Sequence, residues 1–295
     1  MIRLLRSMLY TPGNNARMLA KAAGLRADAL VLDLEDAVPV VEKQAARACV
    51  RDALPALEAA GATVFVRVNS YATGLTSEDL NWAVQSGVAG IMLPKTESIQ
   101  QVHECARTVS ALELERGLPR ESLVLILQLE SAKGVLEAQA ISVASSRIIA
   151  LAFGAWDFAR DMGTMPSLEG SETLYARAHL AVVARAAELL AIDSPWVDFG
   201  DSEGLVHDAR MAKRLGFRGK LLIHPSQIEP VNAVFSPSAD EVAYARRVLA
   251  AFCEAESQGM GATSLDGRMI DAANVRQAQD VLAWAEALNR GKRAA

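Results

Sequence analysis

Glu130 closes the apolar run LVLILQLE (123–130), and Asp157 follows a second run, RIIALAF (147–153), in the segment FGAWDF. A single acid in such a place is most simply a helix cap or an ion-pair partner. Here the pattern recurs. DLEDAVP carries Asp33, Glu35 and Asp36, FVRVNS carries Arg67 and Asn69, MLPKTE carries Lys95, and LIHPSQI carries His224 and Gln227. Polar residues at so many corresponding positions are expected to share one site. Neighbouring parallel strands lie about 4.8 Å apart, so the carboxylates of Glu130 and Asp157 can converge on one ion. Two carboxylates completed by waters and substrate oxygens suit Mg²⁺, and no His/Cys set has zinc spacing. The acids of DLED would repel one another if buried without a cation, or could be helix-start acids favoured by the helix dipole. Arg67 suits a two-pronged grip on a carboxylate or polarisation of a carbonyl oxygen. Arginine and Mg²⁺ around a 2-oxo acid would stabilise an enolate or alkoxide, which is the chemistry of a C–C bond beside a carbonyl. A Schiff base through Lys95 is the alternative route, disfavoured by the carboxylate pair. His224 reads either as a structural histidine or as a catalyst.

These residues need a scaffold that brings strand ends together. Short apolar runs recur every 25–45 residues or so: SMLY (7–10), ALVLDLE (29–35), TVFVRV (63–68), GIMLPK (90–95), LVLILQLE, RIIALAF, WVDF (196–199) and KLLIH (220–224). Runs apolar nearly throughout are strands buried on both faces, as in a parallel sheet covered by helices. Between them lie amphipathic helical stretches at 16–25, 42–61, 98–117, 171–191 and 202–216. Ser171 and Ser202 stand as N-caps, and Pro55 is expected to kink or split the second helix. Eight strands alternating with helices predict a (β/α)8 TIM barrel, whose chemistry gathers at the C-terminal strand ends. A doubly wound open sheet is the alternative, but TPGNNAR is not its glycine-rich phosphate turn. The barrel is assigned to residues 1–237. Residues 238–295, two helices joined by MGATSLDGRMID, are surplus to a minimal barrel and are assigned as a C-terminal helical extension.

Composition narrows the class. A chain of 295 residues, 51% hydrophobic, can bury a large core. A net charge of −5 argues against a nucleic-acid binder. Cys49, Cys105 and Cys253 are odd in number and far apart, and read as reduced, buried small hydrophobes. No stretch approaches the roughly 18 apolar residues of a membrane span, and MIRLLRSMLY is too short for a signal peptide. A cytoplasmic protein is expected, with no membrane and no nucleic-acid partner.

In order along the chain stand RSMLYTPGNNARML, DALVLDLEDAVP, VFVRVNS, IMLPKTES, LQLESAKGV, FGAWDFARDMG, GFRGKLLIHPSQI and LDGRMIDAA, from residue 6 to 273. This series resembles the CitE-like family, which includes citrate lyase β subunits, malyl-CoA and citramalyl-CoA lyases and related malate synthases. The resemblance implies a TIM barrel, trimeric or a dimer of trimers, with one Mg²⁺ per site held by Glu130 and Asp157. It implies that Arg67 binds substrate with Glu130 nearby, that Asp36 lies near the site, and that Asp271 acts as acid/base in a neighbouring subunit. The implied reaction cleaves a 3-hydroxy-3-carboxyacyl thioester to acetyl-CoA and glyoxylate or pyruvate. An aldolase on free 2-oxo acids and a non-catalytic acyl-CoA-binding or complex subunit are the other readings. Two departures bear on the acyl group and its carrier: Trp156 stands where an acid is common, and LESAK stands where many relatives have IETAR, so Lys133 replaces an arginine.

Overall fold

The computed structural model describes residues 4–167 and 169–294. Its elements run β1 (Ser7–Pro12), α1 (Ala16–Ala22), β2 (Ala29–Asp33), α2 (Lys43–Ala59), β3 (Val64–Arg67), α3 (Thr76–Ala83), β4 (Gly90–Leu93) and α4 (Ile99–Glu115). They continue as β5 (Val124–Leu129), α5 (Ala132–Leu136), α6 (Ala138–Ser142), β6 (Ile148–Phe153), α7 (Ala155–Asp161), α8 (Leu174–Ala186), β7 (Leu190–Asp193), α9 (Ser202–Leu215) and β8 (Gly219–Leu222). After α10 (Ile228–Phe235) come α11 (Ala239–Ser257), β9 (Thr263–Leu265), β10 (Arg268–Ile270) and α12 (Ala272–Ala294). Strands β1 to β8 close into one barrel in sequence order, each parallel to its neighbour, with β8 returning to β1. This is the TIM barrel that the spacing of apolar runs predicts.

Side chains alternate across a strand with period two, and one parity fills the barrel. Met8, Val31, Phe65, Met92, Ile126, Ala152, Ile192 and Leu221 belong to a single buried cluster. The opposite parity faces the helices. There Lys220 and Asp193, both fully buried, pair at 2.6 Å, and Arg177 of α8 joins Asp193 at 2.8 Å. A buried pair of this kind costs desolvation that its own attraction and hydrogen bonds must offset.

Several local expectations change. The seventh strand is LAID (190–193), and WVDF lies in the loop after it. The helix before it ends at Ala186 and starts at Leu174, with Thr173 rather than Ser171 at the cap position. Asp201, not Ser202, caps α9, accepting a bond from the Gly204 amide. Helix α2 is continuous over 17 residues with Pro55 inside it. Because Pro55 falls in the last turns, only the Arg51 carbonyl loses a helical donor. Of the cysteines, Cys105 is buried, Cys49 half-buried and Cys253 exposed.

Residues 5–232 form one compact unit, and residues 233–294, with Leu4, form a second. In the second, Ala245, Val248, Ile270 and Ala278 pack together, and the segment joining α11 to α12 folds as the β9–β10 hairpin. Among the described residues no helix is long and apolar enough to cross a membrane.

Candidate active site

The parity that fills the barrel with apolar side chains also sets its upper layer. Two residues beyond Met8 comes Tyr10, beyond Val31 comes Asp33, and beyond Phe65 comes Arg67. Beyond Ile126 come Gln128 and then Glu130. Pro12 pairs with Asp33 and Asp33 with Arg67 in the strand register, so the last two side chains are neighbours. Between β5 and β6 the register shifts by one residue at Leu125/Ile126. The bulge brings Ala152 opposite Gln128 and Phe153 opposite Leu129, which leaves Gly154 beside Glu130.

Arg67 is held on three sides. Its Nε and Nη2 donate to the two oxygens of Asp33 at 2.7 and 2.6 Å. Its Nη1 lies 3.2 Å from Glu35 and 3.8 Å from Asp36. Its guanidinium stacks 4.4 Å from the centre of the Tyr10 ring. The fork expected to grip a substrate carboxylate is therefore occupied by Asp33, and the Nη1 side is what faces the remaining acids. Asp33 is held below the usual carboxylate range: burial would raise it, but the charge and bonds of Arg67 prevail.

Lys95 has an unusual backbone, with φ of 48°, a left-handed conformation that costs a non-glycine residue roughly 1–3 kcal/mol. The conformation aims its amide at Glu130 Oε1, 2.8 Å away. Its ammonium meets Glu35 at 2.8 Å and the half-exposed Asp36 at 3.3 Å. Lys95 is held protonated above its ordinary range: burial opposes this, but the bond to Glu35 and the surrounding acids outweigh it. Such an amine is poorly set for Schiff-base chemistry.

Glu130 is 2% exposed. Its second oxygen accepts from Gln128 Nε2. Burial, then the negative charges of Glu35 and Asp157, push its carboxyl up to about 8. Burial first, opposed by Arg67, raises Glu35 to about 6, and Glu35 Oε2 is buried without a hydrogen bond. Asp157 sits in the first turn of α7 and pairs with Arg160 at 2.9 Å. Gly154 offers α7 no side-chain cap, and Ser194 of the loop after β7 supplies one, accepting from the Ala155 amide at 3.0 Å. Glu130, Asp157, Lys95, Ser70, Ser131 and Arg160 line one cavity of about 220 Å³.

The charges are unbalanced. Asp33, Glu35, Asp36, Glu130 and Asp157 face Arg67, Lys95, Arg160 and the buried Lys43, whose ammonium bonds the Leu34 and Glu35 carbonyls, so five acids meet four cations. Buried carboxylates in excess of cations raise each other's proton affinity, and a hard dication would relieve this. Among the described residues no group of three His, Cys, Asp or Glu side chains forms a ligand set. Glu130 and Asp157, with water and ligand oxygens, fit the sparse protein coordination of Mg²⁺.

Other residues singled out in the sequence have structural duties. Asn69 is tied to Asp79 and to the Leu34 carbonyl. His224 caps a short turn through Ser226 and stacks on Phe199 at 4.9 Å. Gln227 Nε2 donates to the Trp196 carbonyl. Trp156 is exposed, and the exposed Lys133 lies 3.8 Å from Glu97. Asp271 begins α12 in the second unit, where its Oδ1 accepts from the amides of Ala273 and Asn274 at 2.8 and 3.2 Å. Tyr10, Gly154 and Ser194 were not anticipated; the strand parity would have pointed to Tyr10 and Gly154.

Residues 6–225 match the family described as HpcH/HpaI aldolase/citrate lyase. The chain belongs to this family. Within the HpcH/HpaI family it is 38% identical over 285 residues to the citrate lyase subunit beta of Leuconostoc mesenteroides subsp. cremoris, covering 97% of this chain and 94% of the relative. It is 35% identical to the mitochondrial citramalyl-CoA lyase of Homo sapiens, over 96% of this chain and 86% of that protein. It is 36% identical to the (3S)-malyl-CoA thioesterase of Cereibacter sphaeroides, over 96% and 95%. Among solved structures it resembles the CitE protein of Mycobacterium tuberculosis in complex with magnesium, acetoacetate and coenzyme A. That match has a TM-score of 0.79 and 31% identity, over 97% of this chain and 100% of the other.

Proposed function

We propose that the protein is a Mg²⁺-dependent carbon–carbon lyase. It cleaves a 3-hydroxy-3-carboxyacyl thioester of the malyl-CoA or citramalyl-CoA kind into acetyl-CoA and glyoxylate or pyruvate, reversibly. One observation carries this reading: Glu130 and Asp157 face one cavity with Lys95, in a set where acids outnumber cations and Arg67 stands behind. The relatives add support, being lyases and a thioesterase of CoA-linked or citrate substrates.

Glu130 and Asp157 would hold the metal, which when bound supplies positive charge to the carboxylate and hydroxyl oxygens that become the 2-oxo acid. Arg67, its orientation fixed by Asp33 and the Tyr10 ring, adds a second cation at the same end of the barrel. Asp36 sits at the rim beside Lys95. A base takes the proton from the 3-hydroxyl group, and the C3–O bond becomes a carbonyl. The C2–C3 bond breaks, its electron pair passing to the thioester as an enolate, and protonation at C2 gives acetyl-CoA. Asp271 from a neighbouring subunit is proposed as that base, in a trimer or dimer of trimers. One of its carboxylate oxygens serves the α12 cap and the other is left for proton transfer.

The test is to offer malyl-CoA and citramalyl-CoA with Mg²⁺ or EDTA and to identify products by mass spectrometry. Magnesium-dependent acetyl-CoA with a 2-oxo acid is the expected result, and the better substrate names the acid. Free CoA with an intact hydroxy diacid would make the protein a thioesterase and refute the lyase.

A further inference from the structure

We infer that Tyr10 is a positioning residue that orients Glu130 through the amide of Gln128 while its ring seats Arg67, so that one side chain at the end of β1 sets both halves of the site. This rests on the proposed metal role of Glu130. The Tyr10 hydroxyl donates to Gln128 Oε1 at 2.8 Å, and Gln128 Nε2 donates to Glu130 Oε2. The order of these bonds is fixed by chemistry. With Glu130 ionised, as a metal ligand must be, it only accepts, so the amide turns its NH₂ group towards Glu130. That leaves the amide carbonyl facing the phenol, which must then be the donor. The second neighbour of the hydroxyl, Met92 Sδ at 3.3 Å, is only a weak acceptor and does not compete.

The pocket around this chain leaves little freedom. A Cβ on Gly154 would stand 3.1 Å from Gln128 Nε2 and 2.3 Å from Glu130 Oε2, so the Gly154 backbone walls the pair on the β6 side. Gln128 and Glu130 are both buried. Without the phenol, the Gln128 carbonyl has lost its donor and nothing specifies which end of the amide faces the carboxylate. A flipped amide would set oxygen against oxygen. The ring has a separate duty, since Arg67 lies 4.4 Å above it. Tyr10→Phe therefore cuts the chain to Glu130 while keeping the surface under Arg67.

The test is direct titration of Mn²⁺ into the metal-stripped protein, followed by electron paramagnetic resonance, with thermal midpoints recorded in parallel. Partners that orient a metal ligand typically change affinity about 10–100-fold. Tyr10→Phe and Gln128→Met should each weaken Mn²⁺ binding at least about tenfold in protein whose midpoint shows it still folded at the titration temperature. The double variant should be no weaker than Gln128→Met alone, because both changes break one chain. Tyr10→Phe binding Mn²⁺ within twofold of wild type would overturn the inference, as would single effects that multiply in the double variant. Should Tyr10→Phe not fold, Gln128→Met and Gln128→Glu carry the test. Loss of Mn²⁺ binding in the first and its retention in the second, which keeps a carbonyl oxygen facing the phenol but no NH₂ facing Glu130, would likewise overturn it. Glu130→Gln separates the premises. If it binds Mn²⁺ as wild type does, the metal role of Glu130 fails. If it does not, while Tyr10→Phe does, only the positioning role fails.

Discussion

Gly154→Ala is the smallest change that should disable the site. The backbone tolerates it, since Gly154 has φ of −114°. The obstacle is Glu130: the added Cβ would lie 2.3 Å from its Oε2 and 2.7 Å from its Cβ. Carbon atoms prefer to be about 3.5–4.0 Å apart. Rotating the carboxylate relieves the first contact but not the second, because the Glu130 Cβ is fixed to the strand end. Roughly 1 Å must come from the end of β5 or the start of α7, which carries Asp157. Overpacking of this kind costs about 1–3 kcal/mol of stability, and a misplacement of about 1 Å costs about 10²-fold in rate. Gly90→Ala is the matched control. Its Cβ would meet the Val124 carbonyl oxygen at 2.4 Å and Phe65 at 2.9 Å, at the opposite end of the barrel. Thermal midpoints by circular dichroism, kcat/KM and Mn²⁺ affinity should be measured for both below their transitions. Both variants should melt earlier, but only Gly154→Ala should lose about 10²-fold in kcat/KM. Wild-type kcat/KM and Mn²⁺ affinity in folded Gly154→Ala would refute the account of Glu130.

Glu113 accepts from Arg147 Nη1 at 2.9 Å and from the amides of Leu123 and Glu121, and both side chains of the ion pair are buried. Burial would raise its carboxyl, but these partners hold it below the usual 4.5. Its stabilisation is therefore complete above the unfolded value and lost as pH falls through the folded one. Glu113→Gln should cost about 3–5 kcal/mol at neutral pH by chemical denaturation, and the gap to wild type should narrow below about pH 4; a pH-independent gap would refute the pairing argument. Treatment with pyruvate and borohydride should leave Lys95 unmodified by mass spectrometry, since Glu35 and Asp36 hold its ammonium. A reduced adduct on Lys95 would favour a Schiff-base aldolase. Mixing inactive Arg67→Ala and Asp271→Asn proteins should restore activity if one subunit's Asp271 serves another's site. No recovery, with exchange confirmed by native mass spectrometry, would remove that role.

Much of this arrangement was legible in advance because it follows from strand parity. Buried parallel strands announce themselves as continuous apolar runs, and LVLILQLE shows both its interior residues and the polar pair at its end. Glu130 and Asp157 stand out instead as acids that follow two consecutive apolar runs, and they do share a cavity. The seventh strand was missed for a physical reason. Helix stops are usually read from glycine or asparagine in the left-handed region, but here Glu188 takes φ of 58°. With no such signal, the apolar residues of LAID merge with the helix before them. Lys95 hides a second left-handed turn in the same way, so its amide bond to Glu130 could not be read from residue types. The bulge between β5 and β6 was equally hidden, since it depends on how two distant runs pair.

The acid at the end of LVLILQLE is in this light a consequence of where the apolar layers stop. Below it, Val124 and Ile126 belong to the apolar cluster that fills the barrel. Gln128 is the first inward residue on this strand that can make a hydrogen bond, and it finds Tyr10 on one side and Glu130 on the other. Each polar group in this layer is satisfied chiefly by another in the layer: Asp33 by Arg67, Glu35 by Lys95, Glu130 by Gln128 and the Lys95 amide. Mutual pairing suppresses the cost of burial for the dipoles but not for the charge, because acids remain in excess. Burial first raises the carboxyls of both Glu130 and Glu35, and at Glu130 the charges of Glu35 and Asp157 add to it. A stable barrel has no use for such an imbalance, so its presence at the C-terminal mouth is itself the physical argument for a cationic ligand there.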